Sequence, residues 1–555
     1  MAAERLDAGF ERYRFAFTAL TRSAVRRFEA QDWAGLRTDA EARLLLYADT
    51  LHPLVAELGR LSLERPLPLQ RIKQRFTSAV AGRPDREIAE TFFNSVVRRL
   101  NGTVGVDHES EYLDLGAPLL PDDDRSASAN VGGDGDVAPV IERALTSLGL
   151  SPWANLPQDA ARIAARLRRD VPGLSAGAAV AWLPVPFVRS RRAYLVGRIT
   201  TGAGSQPFVV AIGPSAGGLA AEAVVSTVDG ASVVFGFSRS HFQVDLEAPR
   251  AAIAFLHRLL PAKRLDELYS VIGYHRHGKR EFYQDLRRHL ADPAARFEPV
   301  EGVPGMVMLA FLFRPMNAVF KLIRDRALPP KSTTRREVME RYQFVFLKEH
   351  GGRLADTQEY HGLRLPDRHF AEPVREELLG HATETARLAD GHWSFAHLYT
   401  ERRMTPLDVY LRSAPPAEAE AAVIDFGRAI KELAGINVFP GDMLAKNFGV
   451  SRHGRVIFYD YDEICPLTDC RFRVIPVARS FEDEMAAEPW FSVGNHDVFP
   501  EEFEPFLRFR EPLHTAFRRH HADLFKADFW AGVQASVAGG DVVEPAPYGP
   551  GDRLA

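Results

Sequence analysis

Apolar residues recur at every third or fourth position in the first hundred residues of the chain, and arginine and glutamate fill many of the positions between them. This spacing places apolar side chains on one face of an α-helix. The pattern therefore predicts helices over residues 9–100, with the apolar face buried in a core. The positions that show it most clearly are Leu44, Leu45, Ala48, Leu51 and Leu54.

Segments rich in valine, isoleucine and aromatic residues follow, and turn-like sequences separate them. Their composition and spacing predict an antiparallel meander. The Asp229-Gly230 dipeptide, between the last two segments, is typical of a β-hairpin turn. The predicted strands are residues 193–200, 207–213, 222–227 and 231–238, and the helices predicted after them are residues 251–260 and 279–290.

One segment of the first half differs from the rest. Residues 122–136 read DDDRSASANVGGDGD, which is acidic, glycine-rich and composed mostly of small side chains. Such a segment cannot bury enough apolar surface to offset the entropy lost on ordering. The composition therefore predicts a disordered loop or linker that has no catalytic role.

The pattern changes again near residue 297. A glycine-containing bend precedes an apolar run, and a second short apolar run follows it. Together with the first half, this mixture of helical and strand patterns predicts an α+β fold. The elements predicted here are strands at residues 306–313 and 319–323 and a helix at residues 334–349.

Composition excludes several classes of function. The chain has 69 Lys and Arg residues against 73 Asp and Glu residues, a net charge of −4, so no overall cationic field attracts nucleic acid or a membrane. No apolar stretch is long enough to span a bilayer, and the N-terminus has no signal core, so we expect a soluble cytoplasmic protein. Two cysteines, Cys465 and Cys470, are too few for a disulfide scaffold or a zinc site of four cysteines.

A glycine bend and a lysine point to phosphate chemistry. The bend Gly302-Val303-Pro304-Gly305 lets backbone amides approach phosphate oxygens. Lys321 follows Gly302 by 19 residues and lies in the apolar sequence VFKLI, where an ammonium group needs an anionic partner. A glycine turn, a strand and a lysine-bearing strand occur in this order in the small lobe of a protein kinase.

The sequence FPGDMLAKNFGVSRHGRVIFYD adds three polar residues in the order that a kinase uses. Asp442 and Asn447 fit the pattern Asp-x₄-Asn, and Asp460 follows Asp442 by 18 residues, at the end of a short strand pattern. In a kinase these positions supply the base for the attacking hydroxyl and two ligands of Mg²⁺. Asp442 is therefore the candidate base, and Asn447 and Asp460 are the candidate metal ligands.

Some positions depart from the kinase pattern or leave alternatives open. Pro440-Gly441 stands where His-Arg is usual, and Tyr461-Asp462-Glu463 replaces Phe-Gly after Asp460. Asp462 and Glu463 either reach a metal ion or lie in a solvated turn. Asp356, after Gly351-Gly352, is most simply a helix N-cap. The carboxylate that pairs with Lys321 remains open among Glu337, Glu340, Glu349 and Glu359.

Taken together, these segments resemble the isocitrate dehydrogenase kinase/phosphatase family, bifunctional bacterial enzymes at the entry to the glyoxylate bypass. The resemblance covers much of residues 301–530 in order, and GYHRHGKREFYQDLRRHL, residues 273–290, also resembles this family. The segments that carry it are GMVMLAFLF, VFKLIRD, GRLADTQEY, HLYTERRMTPL, FPGDMLAKNFGVSRHGRVIFYDYDEIC, EDEMAAEPWFSV, DVFPEEF and HADLFKADFW.

The resemblance implies how the chain is organised. Residues 1–290 correspond to a regulatory domain of mixed helices and antiparallel sheet, with the disordered insert at about residues 122–136. Residues 291–555 correspond to a bilobal protein-kinase-like domain. Its small lobe is expected at about residues 291–400 and its large lobe at about residues 401–540.

The resemblance also implies an activity. One site phosphorylates a serine of isocitrate dehydrogenase with MgATP and hydrolyses the phosphoserine, which controls flux between the tricarboxylic acid cycle and the glyoxylate bypass. AMP is implied as an allosteric effector that binds between the regulatory and kinase regions and favours dephosphorylation. His275 and Lys279 are expected in its surroundings. The pair His275 and His277 is more typical of a solvated turn than of a metal site.

Site residues are carried over position by position. The family's catalytic-loop residues match Asp442 and Asn447, and its metal-binding aspartate matches Asp460. Its active-site aspartate, tied especially to phosphatase action, matches Asp356. Pro304 stands where a basic or polar residue is typical. The ATP-binding positions are Val300, Glu301, Gly302, Val303, Pro304, Gly305, Met306 and Lys321.

Two other functions remain open. One is a kinase-fold phosphotransferase acting on a small molecule, against which the N-terminal domain and the family segments argue. The other is a catalytically dead nucleotide-binding regulator. The retained set of Lys321, Asp442, Asn447 and Asp460 argues against that reading.

Overall fold

The computed structural model describes most of the chain, and its contacts divide the chain into two units. The first unit is Met1–Asp292 with Ala546–Ala555, and the second is Pro293–Pro545. The described residues are 2–64, 67–107, 109–111, 120, 126–236, 241–302, 304–348, 352–478, 480, 490–507, 509–540 and 545–554.

Helices dominate the first hundred residues, as the spacing of apolar positions predicts. The helices of the first unit are α1 (Ala2–Glu29), α2 (Trp33–Glu64), α3 (Leu69–Val80), α4 (Arg86–Asn101), α5 (Ala138–Thr146), α6 (Leu156–Asp170), α7 (Val228–Val234), α8 (Pro249–Leu259), α9 (Leu265–Val271) and α10 (His275–His289). Along α2 the buried face runs through Tyr47, Leu51 and Leu54. The prediction that Leu45 shares this face is wrong, because Leu45 lies on the opposite side and is 49% exposed.

An antiparallel sheet completes the first unit. Its strand order is β1-β2-β4-β5-β6, with β3 paired to β4. Both of its faces carry buried side chains, such as Tyr194 on one face and Leu195 on the other. The strands are β1 (Ala127–Asn130), β2 (Ala179–Trp182), β3 (Phe187–Arg189), β4 (Arg192–Thr201), β5 (Gly204–Ser215) and β6 (Gly218–Val225).

Part of the predicted disordered insert is an edge strand of this sheet. Ala129 in β1 lies opposite Val180 in β2. Ala127 and Ala129 pack against the core, whereas Ser128 and Asn130 are more exposed. This two-residue alternation is the strand signal that small side chains conceal. Residues 122–125 of the insert lie outside the described residues.

The predicted hairpin at Asp229-Gly230 is wrong. These residues form the first turn of α7, and the Thr227 side chain caps it by accepting a hydrogen bond from the Gly230 N–H at 3.1 Å. A capping threonine followed by Asp-Gly competes locally with a hairpin turn. Of the strand predicted at residues 231–238, the described part is helical through Val234, and residues 237–238 lie outside the described residues.

The solvated turn predicted at His275 and His277 is also wrong. Both residues lie in the first turn of α10. His277 is 2% exposed, and its Nδ1 lies 2.7 Å from the Thr91 hydroxyl of α4. Burial lowers the pKa of His277 well below its usual value. The neutral imidazole is therefore a packed core group.

The last ten residues of the chain belong to the first unit, whereas the sequence predicts them in the kinase-like domain. The Tyr548 hydroxyl donates to Glu222 Oε2 at 2.8 Å, and the Leu554 N–H donates to the Glu222 carbonyl at 2.9 Å. Arg553 forms a β-bridge with Ala223 at the edge of the sheet. These contacts pair part of the outer edge of β6, on the side away from β5.

The second unit begins with its own antiparallel sheet. The strand order is β10-β12-β9-β8-β7, with β11 paired to β12. Phenylalanine rings fill one face, and Phe297, Phe311 and Phe320 lie within 5.6 Å of one another by ring centroid. The strands are β7 (Phe297–Pro299), β8 (Met308–Phe313), β9 (Ala318–Ile323), β10 (Gln358–Pro366), β11 (Ala386–Ala389) and β12 (His392–Arg402).

The rest of the second unit is mostly helical and contains short strands. An antiparallel trio has the order β13-β14-β15, and β16 pairs with β17 in parallel. These strands are β13 (Thr405–Pro406), β14 (Phe448–Val450), β15 (Val456–Phe458), β16 (Arg471–Phe472) and β17 (Asp497–Val498). The helices are α11 (Arg335–Phe346), α12 (Glu372–His381), α13 (Leu407–Ser413), α14 (Pro416–Gly435), α15 (Phe503–Leu507), α16 (Leu513–His521) and α17 (Ala527–Ala538).

Helix α14 contributes Phe426, Ile430 and Leu433 to the buried core of the second unit. Arg353 is buried beside it and donates hydrogen bonds to Asp425 and Glu432 of the same helix. Two acidic partners offset the cost of burying this guanidinium group. Arg353 thereby fixes the chain just before β10.

The helices and strands of both units confirm the predicted α+β class. Within the described part of the chain, no helix is both long enough and apolar enough to cross a membrane.

Candidate active site

One cleft in the second unit collects most of the site residues predicted from the sequence. It lies between the sheet that contains β8, β9 and β12 and the segments around β14 and β15. Val303 lies outside the described residues, and Asp356 is not among the residues that line the cleft. The predicted residues that line it are Val300, Glu301, Gly302, Pro304, Gly305, Met306, Lys321, Asp442, Asn447 and Asp460.

The glycine bend forms one wall of the cleft. Gly302 has a φ angle of +106°, which residues with a side chain rarely adopt. Pro304 lacks an N–H group, so the bend offers fewer backbone donors to an anion than a kinase glycine loop does. At the mouth of the cleft, Glu301 forms an ion pair with Arg403 at 3.1 Å.

Lys321 extends from β9 into the cleft and is 8% exposed. Its Nζ donates to the Tyr459 carbonyl at 2.9 Å and lies 2.7 Å from Glu401 Oε2. The other oxygen of Glu401 accepts a hydrogen bond from the Thr357 hydroxyl at 2.8 Å. The ammonium group is therefore paired and held in place before any ligand binds.

Glu401 is a residue of the candidate site that the sequence does not predict. Glu337, Glu340 and Glu359 are not the partners of Lys321, and Glu349 lies outside the described residues. The ladder explains the choice, because Lys321 lies opposite Tyr399, and Glu401 follows Tyr399 by two residues on the same face of β12. The sequence does contain one signal, a glutamate within a strand pattern. Its pairing with Lys321 becomes clear only from the register between β9 and β12.

The helix that follows the lysine strand supports this pair with an aromatic ring. Protein kinases use a glutamate from this helix to pair with the lysine. Here the ring of Tyr342 in α11 stacks on Tyr399 at 3.8 Å between centroids. In this chain the carboxylate comes from β12, the strand next to β9, and α11 contributes aromatic packing instead.

The loop before β14 positions Asp442 and Asn447. Asn447 is 4% exposed, and its Nδ2 donates to the Asp442 carbonyl at 3.0 Å. The Asp442 carboxylate is 40% exposed and lies 3.8 Å from Lys331 Nζ. Gly441, with a φ angle of +74°, brings the backbone within reach of Glu463, where a Cβ would lie 2.5 Å from the Glu463 carbonyl oxygen.

Acidic residues gather where β15 ends. Burial raises the pKa of Asp460, and the Lys321 ammonium acts in the opposite direction. Burial, assisted by the charge of Asp460, raises the pKa of Asp462 to about 7. Asp462 is only 9% exposed, and its buried Oδ1 has no hydrogen-bond partner. The solvated turn proposed for Asp462 is therefore wrong.

Glu463 has a cationic partner. Its Oε1 accepts a hydrogen bond from Lys331 Nζ. Burial acts to lower the pKa of Lys331, but the hydrogen bond and the charge of Glu463 outweigh it and raise that pKa. Lys331 therefore stays charged between Glu463 and Asp442.

Asp356 lies near this site but does not line the cleft. It precedes β10 rather than a helix, so the N-cap interpretation is wrong. The N–H of the preceding Ala355 donates to the Phe458 carbonyl at 2.9 Å, and the following Thr357 bonds Glu401. Asp356 is thus connected through its neighbours to β15 and to the partner of Lys321.

Comparison with known families covers both units. A model described as the isocitrate dehydrogenase kinase/phosphatase (AceK) regulatory domain matches residues 3–294. A second model, described as the kinase domain of the same family, matches residues 295–550. An N-terminal regulatory domain is therefore followed by a kinase domain, as expected.

Similar curated proteins match along the full length. A protein named isocitrate dehydrogenase kinase/phosphatase from Anaeromyxobacter dehalogenans (strain 2CP-C) is 43% identical over 572 residues, which cover 100% of this chain and 97% of the relative. Proteins of the same name from Anaeromyxobacter sp. (strain Fw109-5) and Xanthomonas axonopodis pv. citri (strain 306) are 40% and 38% identical, with the same coverage of both chains.

Proposed function

The chain belongs to the isocitrate dehydrogenase kinase/phosphatase family, and we propose that it phosphorylates isocitrate dehydrogenase on a serine with MgATP and hydrolyses the resulting phosphoserine at the same site. Such an enzyme controls flux between the tricarboxylic acid cycle and the glyoxylate bypass, with AMP as an allosteric effector. The observation that carries the proposal is the convergence of the Lys321–Glu401 pair, Asp442, Asn447 and Asp460 on one cleft.

The sheet side of the cleft suits a nucleotide. Apolar side chains next to Lys321 offer a flat surface to an adenine ring. Lys321, already oriented by Glu401, would hold ATP phosphates, and the bend at Gly302 would approach them with its backbone. The apolar lining residues are Met306, Met308, Ala310, Leu312, Val319 and Met404.

The opposite side suits a hard divalent cation. Oxygen ligands are those that Mg²⁺ prefers, and Asn447, Asp460 and Asp462 would supply them. The buried, unpartnered Oδ1 of Asp462 is the observation that favours a cation here. When bound, Mg²⁺ would neutralise charge on the phosphates.

Asp442 has the exposure and position that a base for the kinase reaction needs. Its carboxylate faces the cleft, and the nearby Lys331 ammonium compensates its charge. We propose that this carboxylate accepts the proton of the attacking serine hydroxyl. For the hydrolysis of phosphoserine to serine and inorganic phosphate, we propose that Asp356 orients the attacking water, as the family match implies.

The test is a transfer assay with ATP that carries a labelled γ-phosphate. We expect label on isocitrate dehydrogenase and none on small metabolites, and release of phosphate from the labelled product when AMP is added. Label on a metabolite alone would identify a small-molecule phosphotransferase. ATP binding without transfer to either would identify a dead regulator.

A further inference from the structure

A cluster of metal-ligand side chains lies on the sheet of the second unit, outside the catalytic cleft. It consists of Glu359 and His361 on β10 and His397 on β12, and one ligand atom from each lies within 4.8 Å of the others. These three residues do not line the nucleotide cleft. We propose that they form a binding site for a divalent transition-metal ion with a preference for nitrogen ligands, such as Zn²⁺.

Strand register brings the three residues together. His361 lies directly opposite His397 in the antiparallel ladder, and their ring centroids are 5.0 Å apart. Glu359 precedes His361 by two residues, so its side chain emerges on the same face of the sheet. The ladder of paired strands therefore holds all three groups together, without the need for a loop to fold around a metal ion.

The spacing of the ligand atoms is close to that of a metal site. Glu359 Oε1 lies 2.8 Å from His397 Nε2 and 3.5 Å from His361 Nε2. With metal–ligand bonds of about 2.0–2.1 Å, two ligands of a tetrahedral zinc ion lie roughly 3.3 Å apart. The carboxylate and His397 need to separate by only about 0.5 Å to admit the ion.

Burial differs across the cluster in a way that suits metal entry. The side chain of His397 is 9% exposed and that of Glu359 is 17% exposed, whereas that of His361 is 64% exposed. The buried pair holds two ligands in place, and the exposed His361 would complete the site on its solvent side. Three protein ligands leave a fourth position for water.

The ligand types separate this site from the one assigned to Mg²⁺. Two imidazoles and one carboxylate favour Zn²⁺, Co²⁺ or Ni²⁺, whereas Asn447, Asp460 and Asp462 present only oxygen ligands. The bound ion would join edge strand β10 to β12. His397 also contacts Tyr399, at 4.6 Å between ring centroids, and Tyr399 is the residue opposite Lys321.

The test is calorimetric titration of the metal-stripped full chain with Zn²⁺, and with Co²⁺ for its absorption spectrum. Saturating Mg²⁺ is present to occupy the oxygen ligands of the cleft, and we then expect one Zn²⁺ site, whose affinity falls at least about tenfold in His361→Ala and in Glu359→Gln. His392→Ala, which changes another histidine of β12, is the matched control and should bind like the wild type.

His361→Ala should not impair folding, because the side chain of His361 lies mostly in solvent. Thermal unfolding without metal should be the same for this variant and the wild type, and added Zn²⁺ should raise the unfolding temperature of the wild type only. No Zn²⁺ binding by the wild type would overturn the proposal. Equal binding by His361→Ala, or equal binding of Mg²⁺ at this site, would do the same.

Discussion

The two sides of the candidate catalytic cleft differ in how many of their polar groups have hydrogen-bond or ion-pair partners. On the sheet side, Lys321 bonds Glu401 and the Tyr459 carbonyl, and Glu401 also accepts from Thr357. On the opposite side, burial raises the pKa values of Asp460 and Asp462, the charge of Asp460 adds to the rise at Asp462, and Asp462 Oδ1 lacks a hydrogen-bond partner.

The sheet side is complete, in the sense that its polar groups have partners before a ligand arrives. The opposite side is incomplete, because a buried carboxylate oxygen there has no partner. A preorganised ammonium group needs no rearrangement to meet phosphate, which is how electrostatic stabilisation of a transition state is most effective. Buried carboxylates near each other are costly until a cation compensates them. We therefore expect substitutions on the two sides to respond differently to added Mg²⁺.

The largest effect is expected for Asp460→Ala. Removing this carboxylate takes away a proposed ligand of Mg²⁺ on the incomplete side, so kinase turnover should fall by at least about 10³-fold. Initial rates measured over a range of Mg²⁺ concentrations test this, with Asn447→Ala expected to act in the same direction. Wild-type rates for Asp460→Ala at low Mg²⁺ would contradict the assignment of the metal ligands.

Lys321→Ala should cost roughly 10²- to 10³-fold in kinase rate, since it removes a preorganised cation from the complete side. Excess Mg²⁺ should not restore the rate, in contrast to variants that only weaken metal binding. The measurement is kcat and KM for ATP. Lys431→Ala, which removes a lysine paired with Asp523 away from the cleft, is the control and should stay near the wild-type rate.

Asp356→Ala should reduce phosphatase activity more than tenfold, about 1.4 kcal/mol of barrier, relative to its effect on kinase activity. The reason is that hydrolysis needs an oriented water and transfer to serine does not. Both activities are measured on the same preparation, next to thermal unfolding. An equal loss of both rates together with lower stability would assign Asp356 a structural role instead.

The sequence predicted the residues of the cleft better than their partners. The order of Gly302, Lys321, Asp442, Asn447 and Asp460 follows the kinase pattern because phosphate chemistry requires those groups. The pairing of Lys321 with Glu401 depends on the register between β9 and β12, which no local pattern encodes.

The errors in the predicted fold have a related cause. The α7 segment contains a hairpin dipeptide, but the Thr227 cap and the burial of Ala231 and Val234 favour a helix. The β1 segment is composed of small side chains, and its order depends on pairing with β2, where Asn130 lies opposite Ala179, 49 residues further along the chain. Tertiary contacts decide both cases, and composition alone contains little information about them.

The smallest effect, and the most direct test of the incomplete side, is expected for Asp462→Asn. Burial and Asp460 raise the pKa of Asp462 from 3.8 to about 7. Above pH 7 the carboxylate is ionised in both the folded and the unfolded chain, so the folded state bears the full cost of the buried charge. As the pH falls from about 7 to 3.8, the folded state takes up the proton first, and this cost disappears.

Without Mg²⁺ at pH 8, Asp462→Asn should therefore stabilise the protein, by about 1 kcal/mol once the cost of a buried amide is subtracted. The gain should turn into a loss as the pH approaches 4, because the native carboxyl is then neutral while the cost of the buried amide remains. It should also reverse with saturating Mg²⁺, because the ion then compensates the native carboxylate. Chemical unfolding at both pH values measures it, with the exposed Asp469→Asn as the control. A change in stability that is the same at pH 8 and pH 4, and insensitive to Mg²⁺, would mean that the charge of Asp462 is not what distinguishes the two sides of the cleft.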